Sequence, residues 1–253
     1  MVGTKKSLGQ HWLKNRAILD EIADLAAYGS AYDSSEKIET CLEIGPGLGT
    51  LTSSLLRRFD KVIAVEYDDR LAENLPKSFP GKNLEVIHGD ILDFDFLSIS
   101  ENYVIAGNIP YYITSPIIEK VLTANNPPKR VVLLVQKEVA ERIVDAKETQ
   151  LSLFVKNYAK VWAGPVVSKS EFTPSPKVDS QVIIMEPHDP VVSDEIFKLI
   201  RIGFKAPRKK LVHNLSGLKS KEEWMKIFRK LGLDLDARPG DLKLEDWQKL
   251  SNK

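Results

Sequence analysis

Apolar positions recur along this chain with two periods. From Asn15 to Ala27, the residues Ile18, Leu19, Ile22, Leu25 and Ala26 fall at helical spacing behind an asparagine able to cap the first turn, which predicts a helix ahead of the first strand. Short apolar runs follow at Cys41 to Ile44, Lys61 to Glu66, Leu84 to Ile87, Tyr103 to Ala106 and Arg130 to Val135, with amphipathic stretches between most of them. Strands alternating with helices predict a mostly parallel sheet covered on both faces. Two further β-like runs, Lys160 to Val167 and Ser180 to Met185, have no helix between them and are expected to pair antiparallel at one edge of a seven-stranded sheet. The rhythm changes near Pro187-His188-Asp189-Pro190, after which Ile196 to Phe204, Lys221 to Lys230 and Leu244 to Leu250 read as helices. The expected organisation is an α/β domain over 1–187 and a small α-helical C-terminal domain over 188–253.

Composition narrows the class. With 253 residues, 43% hydrophobic and 28% charged, the chain is long enough for one sizeable core and a smaller one. Its longest aliphatic string, Val131 to Val135, is far shorter than the ~20 residues of a membrane span, and no basic start leads into an apolar run, so a soluble cytoplasmic protein is expected. The single cysteine, Cys41, excludes an intramolecular disulfide and a thiolate metal cluster; it lies in an apolar run and reads as core, and no metal is expected. Lys plus Arg number 36 against 35 for Asp plus Glu, so net charge is silent about a polyanionic partner. Distribution says more: Arg201, Lys205, Arg208, Lys209 and Lys210 fall within ten residues that hold no acid, which suits phosphate contacts as well as a solvated helix face.

The first strand runs into Gly45-Pro46-Gly47-Leu48-Gly49-Thr50 and then the helical Leu51 to Arg58. Glycines between strand and helix let the backbone approach a ligand, whose polar groups would meet free N–H groups at the helix start. A tight βα turn would look similar. A dinucleotide fingerprint needs a small residue where Thr50 stands, and the spacing is G-x-G-x-G. With Glu43 two residues ahead, the run resembles the motif of S-adenosylmethionine-dependent enzymes. Glu66 ends the second strand, where a carboxylate can accept both ribose hydroxyls. Asp90, after the third strand, is placed to accept from the cofactor's adenine amine. All three features lie at carboxyl ends of strands, the edge along which open α/β sheets bind ligands.

The fourth strand ends in Asn108-Ile109-Pro110-Tyr111-Tyr112. Adenine N6 is a poor nucleophile because its lone pair is delocalised into the ring. Two acceptors holding its hydrogens let the nitrogen pyramidalise toward an electrophilic methyl. The side-chain oxygen of Asn108 is the first candidate acceptor and the main-chain carbonyl of Ile109 the second, while Pro110 keeps the preceding residue extended. No ionised general base is needed, and Tyr111 offers an aromatic face to an unstacked base.

Together these residues resemble the KsgA-type (RsmA) family of ribosomal RNA adenine N6,N6-dimethyltransferases, nearly end to end. Lys6 to Leu13 resembles its N-terminal segment, implying that His11 and Leu13 touch the cofactor beside Gly45, Gly47, Glu66, Asp90 and Asn108. Gln136 to Arg142 and Phe172 to Ser180 match two more family motifs, implying that Phe172 stacks on the target adenine opposite Tyr111. The resemblance implies a Rossmann-like class I methyltransferase that dimethylates two adjacent adenosines near the 3′ end of small-subunit (16S) rRNA during ribosome biogenesis. Trp12 stands where the family usually has Phe, and both Lys147 to Ser152 and Lys205 to Lys210 depart from the usual runs. Three alternatives remain: an Erm-type enzyme acting on large-subunit (23S) rRNA, ranked second because Arg238 to Trp247 looks KsgA-like; a ribosome-assembly or transcription factor with dispensable catalysis; and a NAD-dependent dehydrogenase, opposed by Thr50 and by Asn-Ile-Pro-Tyr.

Overall fold

The computed structural model describes residues 10–29, 38–99 and 102–252. Asn15 caps the first helix as its position predicts, its side-chain oxygen accepting from the N–H groups of Ala17 (3.1 Å) and Ile18 (3.4 Å). The chain then runs β1 (Trp12–Leu13), α1 (Arg16–Tyr28), β2 (Thr40–Ile44), α2 (Thr52–Leu55), β3 (Lys61–Glu66), α3 (Asp69–Asn74), β4 (Leu84–His88), β5 (Tyr103–Asn108), α4 (Thr114–Leu122), β6 (Arg130–Gln136), α5 (Lys137–Val144), α6 (Gln150–Tyr158), β7 (Ala159–Val167), β8 (Phe172–Thr173) and β9 (Ser180–Pro187). Four more helices follow, α7 (Asp194–Gly203), α8 (Leu211–Asn214), α9 (Lys221–Leu231) and α10 (Leu244–Ser251).

Seven strands form one sheet in the order β4-β3-β2-β5-β6-β9-β7. The five from β4 to β6 are parallel, and β9 runs antiparallel to β6 with Leu133 opposite Ile183. This is the Rossmann-like arrangement that the family resemblance implied, with a helical C-terminal region. Strand periodicity explains why both faces are covered. In β5 and β6 the residues Val104, Ala106, Val132 and Leu134 join one core with Leu19, Ile22 and Ala26 of α1, while the alternate Ile105, Val131 and Leu133 are equally buried. Chain order reverses between β2 and β5, so the carboxyl ends of these two neighbours flank a crevice.

Differences from the sequence expectation are local. The helix after the glycine loop spans only Thr52–Leu55 instead of reaching Arg58, the rest of the segment continuing as turns. A second sheet of two short strands, β1 with β8, was not legible in the pattern, since two-residue strands carry no period.

The chain divides into two compact units, one made of the segment up to Ala140 with Lys160–Pro187, the other of Glu141–Ala159 with the segment from His188 onward. The linker at Pro187 marked a boundary in sequence, but the second unit also takes α6 from before it. The reason is burial: Leu153 of α6 lies in one apolar cluster with Phe197, Ile200, Trp224, Phe228 and Trp247. Trp247 is fully buried and fills the space beside Gly203, where a β-carbon would come within 2.3 Å of its ring. No helix among the described residues is long and apolar enough to cross a membrane.

Gly203→Ala should therefore destabilise the second unit by about 1–3 kcal/mol through overpacking. Gly217→Ala, with nothing within 4 Å of the new methyl, serves as its matched control. Urea denaturation followed by far-UV circular dichroism checks this, and equal midpoints for the two variants would contradict the packing described.

Candidate active site

The crevice between β2 and β5 holds a cavity of about 310 Å³, lined by residues from the ends of four parallel strands and from the segment at Gln10 to Trp12. Gly45, Gly47 and Gly49 of the loop after β2 take φ values of 64°, 60° and 80°, which only glycine adopts without strain. Their own N–H groups are engaged within the protein. That of Gly45 donates to the Val65 carbonyl (2.9 Å), that of Gly47 to Glu66 Oε2 (3.0 Å) and that of Gly49 to the Pro46 carbonyl (2.9 Å). What the loop provides is a close wall and a fixed carboxylate.

Glu66 is held at both oxygens, since Oε1 accepts from the Asp68 N–H at 2.8 Å. Each oxygen keeps a lone pair, so the carboxylate is oriented but can still accept hydroxyls. Burial raises its pKa above the usual carboxylate range, and the two amides oppose the shift. Asp90 lines the same cavity and uses Oδ1 for the Leu92 N–H (2.9 Å). A third carboxylate was seen in sequence only as part of a motif: Glu43, 1% exposed, lines the cavity with a buried Oε2 that has no hydrogen-bond partner. Burial pushes its pKa up to about 8; Thr52 offsets part of this, and the neighbouring Glu66 carboxylate adds to it.

At the end of β5, Asn108 Nδ2 donates to the main-chain carbonyl of His11 at 2.9 Å. A carbonyl can only accept, so the nitrogen is assigned and Oδ1 is the group that Asn108 leaves to the cavity. Ile109, also in the lining, has a main-chain carbonyl with no hydrogen-bond donor among the described residues. The β2 to β5 spacing depends on Gly107, where a β-carbon would stand 2.9 Å from the Ile44 carbonyl. Pro110 then starts a turn that carries Tyr111 and Tyr112 along the rim. Tyr111 is anchored by a 2.7 Å bond between its hydroxyl and that of Ser180, and its ring stacks on His11 with centroids 6.0 Å apart. His11 donates from Nδ1 to the Pro174 carbonyl at 2.7 Å.

Gly45, Gly47, Glu66, Asp90, Asn108, Ile109, Pro110, Tyr111 and His11 are thus brought together, as the sequence suggested. Leu13 and Phe172 are not. They pair in register across β1 and β8, are 1% and 3% exposed, and pack into the core with Val182 and Ile184. The ring stacked on Tyr111 is that of His11, and Phe172 packs in the core with Leu13. Sequence reasoning missed Tyr67 and the cavity position of Trp12; adjacency to Glu66 pointed to the first, and nothing local pointed to the second. Residues Lys6 to Gly9 of the N-terminal motif lie outside the described residues. Arg201, Lys205, Arg208, Lys209 and Lys210 belong to the second unit and are all exposed, with Lys210 ion-paired to Asp236. Among the described residues no group of three or more His, Cys, Asp or Glu is arranged to hold a metal ion.

A cavity with three carboxylates and no lysine or arginine among its described lining residues suits a ligand that carries positive charge and several hydroxyl or amine donors. S-adenosylmethionine, with its sulfonium, ammonium, ribose hydroxyls and adenine amine, fits that donor set.

The comparisons agree. The chain is 36% identical over 259 residues to the ribosomal RNA small subunit methyltransferase A of Dehalococcoides mccartyi, covering 97% of this chain and 87% of that protein. It is 36% identical to the protein of the same name in Synechocystis sp., covering 98% and 95%. Among solved structures, a dimethyladenosine transferase from Plasmodium falciparum superposes with a TM-score of 0.76 at 32% identity, over 94% of this chain and 95% of the other. The 23S rRNA methyltransferase ErmE shares the fold at a TM-score of 0.75 and 24% identity, over 95% and 98%. The model of the ribosomal RNA adenine dimethylase family matches residues 1–253, and the chain belongs to that family.

Proposed function

We propose that this protein transfers methyl groups from S-adenosylmethionine to the exocyclic N6 amine of adenine in small-subunit ribosomal RNA, producing N6,N6-dimethyladenine at two adjacent positions near the 3′ end during cytoplasmic assembly of the subunit. One observation carries the reading. Asn108 spends its amide nitrogen on His11 and leaves its oxygen to the cavity, next to an unbonded Ile109 carbonyl. Two acceptors at one strand end match the two hydrogens of an amino group. An amine so held presents its nitrogen lone pair away from the ring, and holding reactants in line is worth ~7–11 kcal/mol.

When bound, S-adenosylmethionine supplies a methyl group on a positively charged sulfur that leaves as a neutral thioether. The protein's part is positioning and charge. Glu66, already oriented by two amides, accepts the ribose hydroxyls, and the second oxygen of Asp90 accepts the adenine amine of the cofactor. Glu43 offers its unpartnered oxygen to the ammonium. Tyr111, fixed by Ser180, and Tyr112, 63% exposed at the rim, provide aromatic faces for a base lifted out of its stack. Arg201, Lys205, Arg208, Lys209 and Lys210 position phosphates without reading sequence.

The assay is transfer of labelled methyl to undermethylated small and large subunits offered separately, with the modified base mapped by mass spectrometry. Label on small-subunit adenines is expected; label confined to the large subunit would make this an Erm-type enzyme. Asn108→Ala should lower the single-turnover rate by roughly 10²-fold, the scale of losing one pre-organised polar contact to the reacting group. A parental rate in a folded, cofactor-binding variant would refute the amine-holding role.

Glu43 makes binding proton-linked. With its pKa raised to about 8, the carboxyl is largely protonated at pH 7 in the free protein. A cation placed beside it favours the ionised form, lowers the pKa and expels the proton. Calorimetry in buffers of different ionisation enthalpy should detect proton release on binding S-adenosylhomocysteine, which carries the same ammonium. Release should be large at pH 7 and fade well above pH 8. Glu43→Gln should bind without it, and identical release by parent and variant would place the ammonium elsewhere. For the basic segment, Lys209→Glu with Lys210→Glu should weaken RNA binding and flatten its salt dependence, as measured by filter binding across salt concentrations. Unchanged binding throughout would remove that segment from the interface.

A further inference from the structure

The cavity's lining poses a problem for one part of the cofactor. Among the described residues it contains Glu43, Glu66 and Asp90 but no lysine or arginine, whereas the amino-acid end of S-adenosylmethionine carries a carboxylate. Among those residues, the donors open to that anion are neutral N–H and O–H groups. Most candidates are committed. The three loop glycines donate within the protein, and the amide groups of Asn108 and Gln10 each direct one of their two N–H bonds elsewhere, to the His11 carbonyl and toward Asp68 Oδ2 at 3.5 Å. His11 donates from Nδ1 to the Pro174 carbonyl at 2.7 Å.

The indole of Trp12 is different. Its N–H has no acceptor among the described residues and is not sealed from solvent. Its place is defined by Gly47, where a β-carbon would lie 3.3 Å from Nε1 and 3.4 Å from Cδ1. The N–H edge therefore stands over the glycine loop at Gly47. The strand pair keeps it there, with Trp12 opposite Thr173 and Leu13 buried in the core. A phenylalanine, the residue expected at this place from the family resemblance, would fill the same space but donate nothing.

We propose that Trp12 is a cofactor-specificity residue whose indole N–H donates to the amino-acid carboxylate of the bound cofactor. This rests on the cofactor reading above, and the test separates the two. Isothermal titration of the parent and of Trp12→Phe is carried out with S-adenosylhomocysteine and with its decarboxylated analogue, which lacks only the carboxylate. The substitution should weaken S-adenosylhomocysteine by roughly tenfold, the scale of one hydrogen bond to a charged group, and leave the analogue unchanged. Parental affinity of the variant for the analogue also shows that it is folded. Equal binding of S-adenosylhomocysteine by both proteins, or equal weakening of both ligands, overturns the proposal while leaving the cofactor reading intact. If the parent binds neither ligand, the cofactor reading itself fails and the proposal with it.

Discussion

The site depends on one hydrogen bond that links distant parts of the chain, from Asn108 Nδ2 at the end of β5 to the carbonyl of His11. A free carboxamide rotates and offers either end. Here the carbonyl of His11 takes the donor end and leaves the acceptor end to the cavity, so one contact sets the chemical polarity of the site. The same contact holds the segment from Gln10 to Trp12 against the cavity wall, where the His11 ring stacks on Tyr111 and the Trp12 indole lies over Gly47. The glycine loop, the Tyr111 ring and the Asn108 oxygen are thus parts of one arrangement.

Electrostatics gives the cavity its second property. Three carboxylates share a small volume with no lysine or arginine among the described lining residues, an arrangement that is costly in an apolar surrounding unless charge is reduced. The protein relieves it by two routes. Glu66 stays oriented by main-chain amides, while Glu43, buried beside Thr52 with one oxygen unpartnered, has its pKa lifted to about 8. A ligand bearing a sulfonium and an ammonium resolves the same conflict by bringing the missing positive charge. Affinity for a cation and reluctance to hold three bare anions are two descriptions of one field.

The second unit is built on ordinary packing. Trp247, Phe228 and Trp224 form the centre of its core, and α6 joins it through Leu153 although it lies on the far side of β7 to β9 in sequence. Its exposed basic segment carries charge on a surface that the core merely supports.

The strands, the glycine loop and the order Glu66, Asp90, Asn108 were readable from the chain because each follows from short-range rules: alternation within a strand, positive φ at glycine, a carboxylate or carboxamide at a strand's end. Tertiary structure decided the rest. Leu13 and Phe172, whose roles came from resemblance, lie in the core where β1 pairs with β8 from a distant part of the chain, and the His11 ring stacks on Tyr111. The commitment of the glycine amides, the raised pKa of Glu43, the exposed N–H of Trp12 and the recruitment of α6 all arise from neighbours far away in sequence. Periodicity records which face of an element is buried, whereas only the folded chain determines what lies against it.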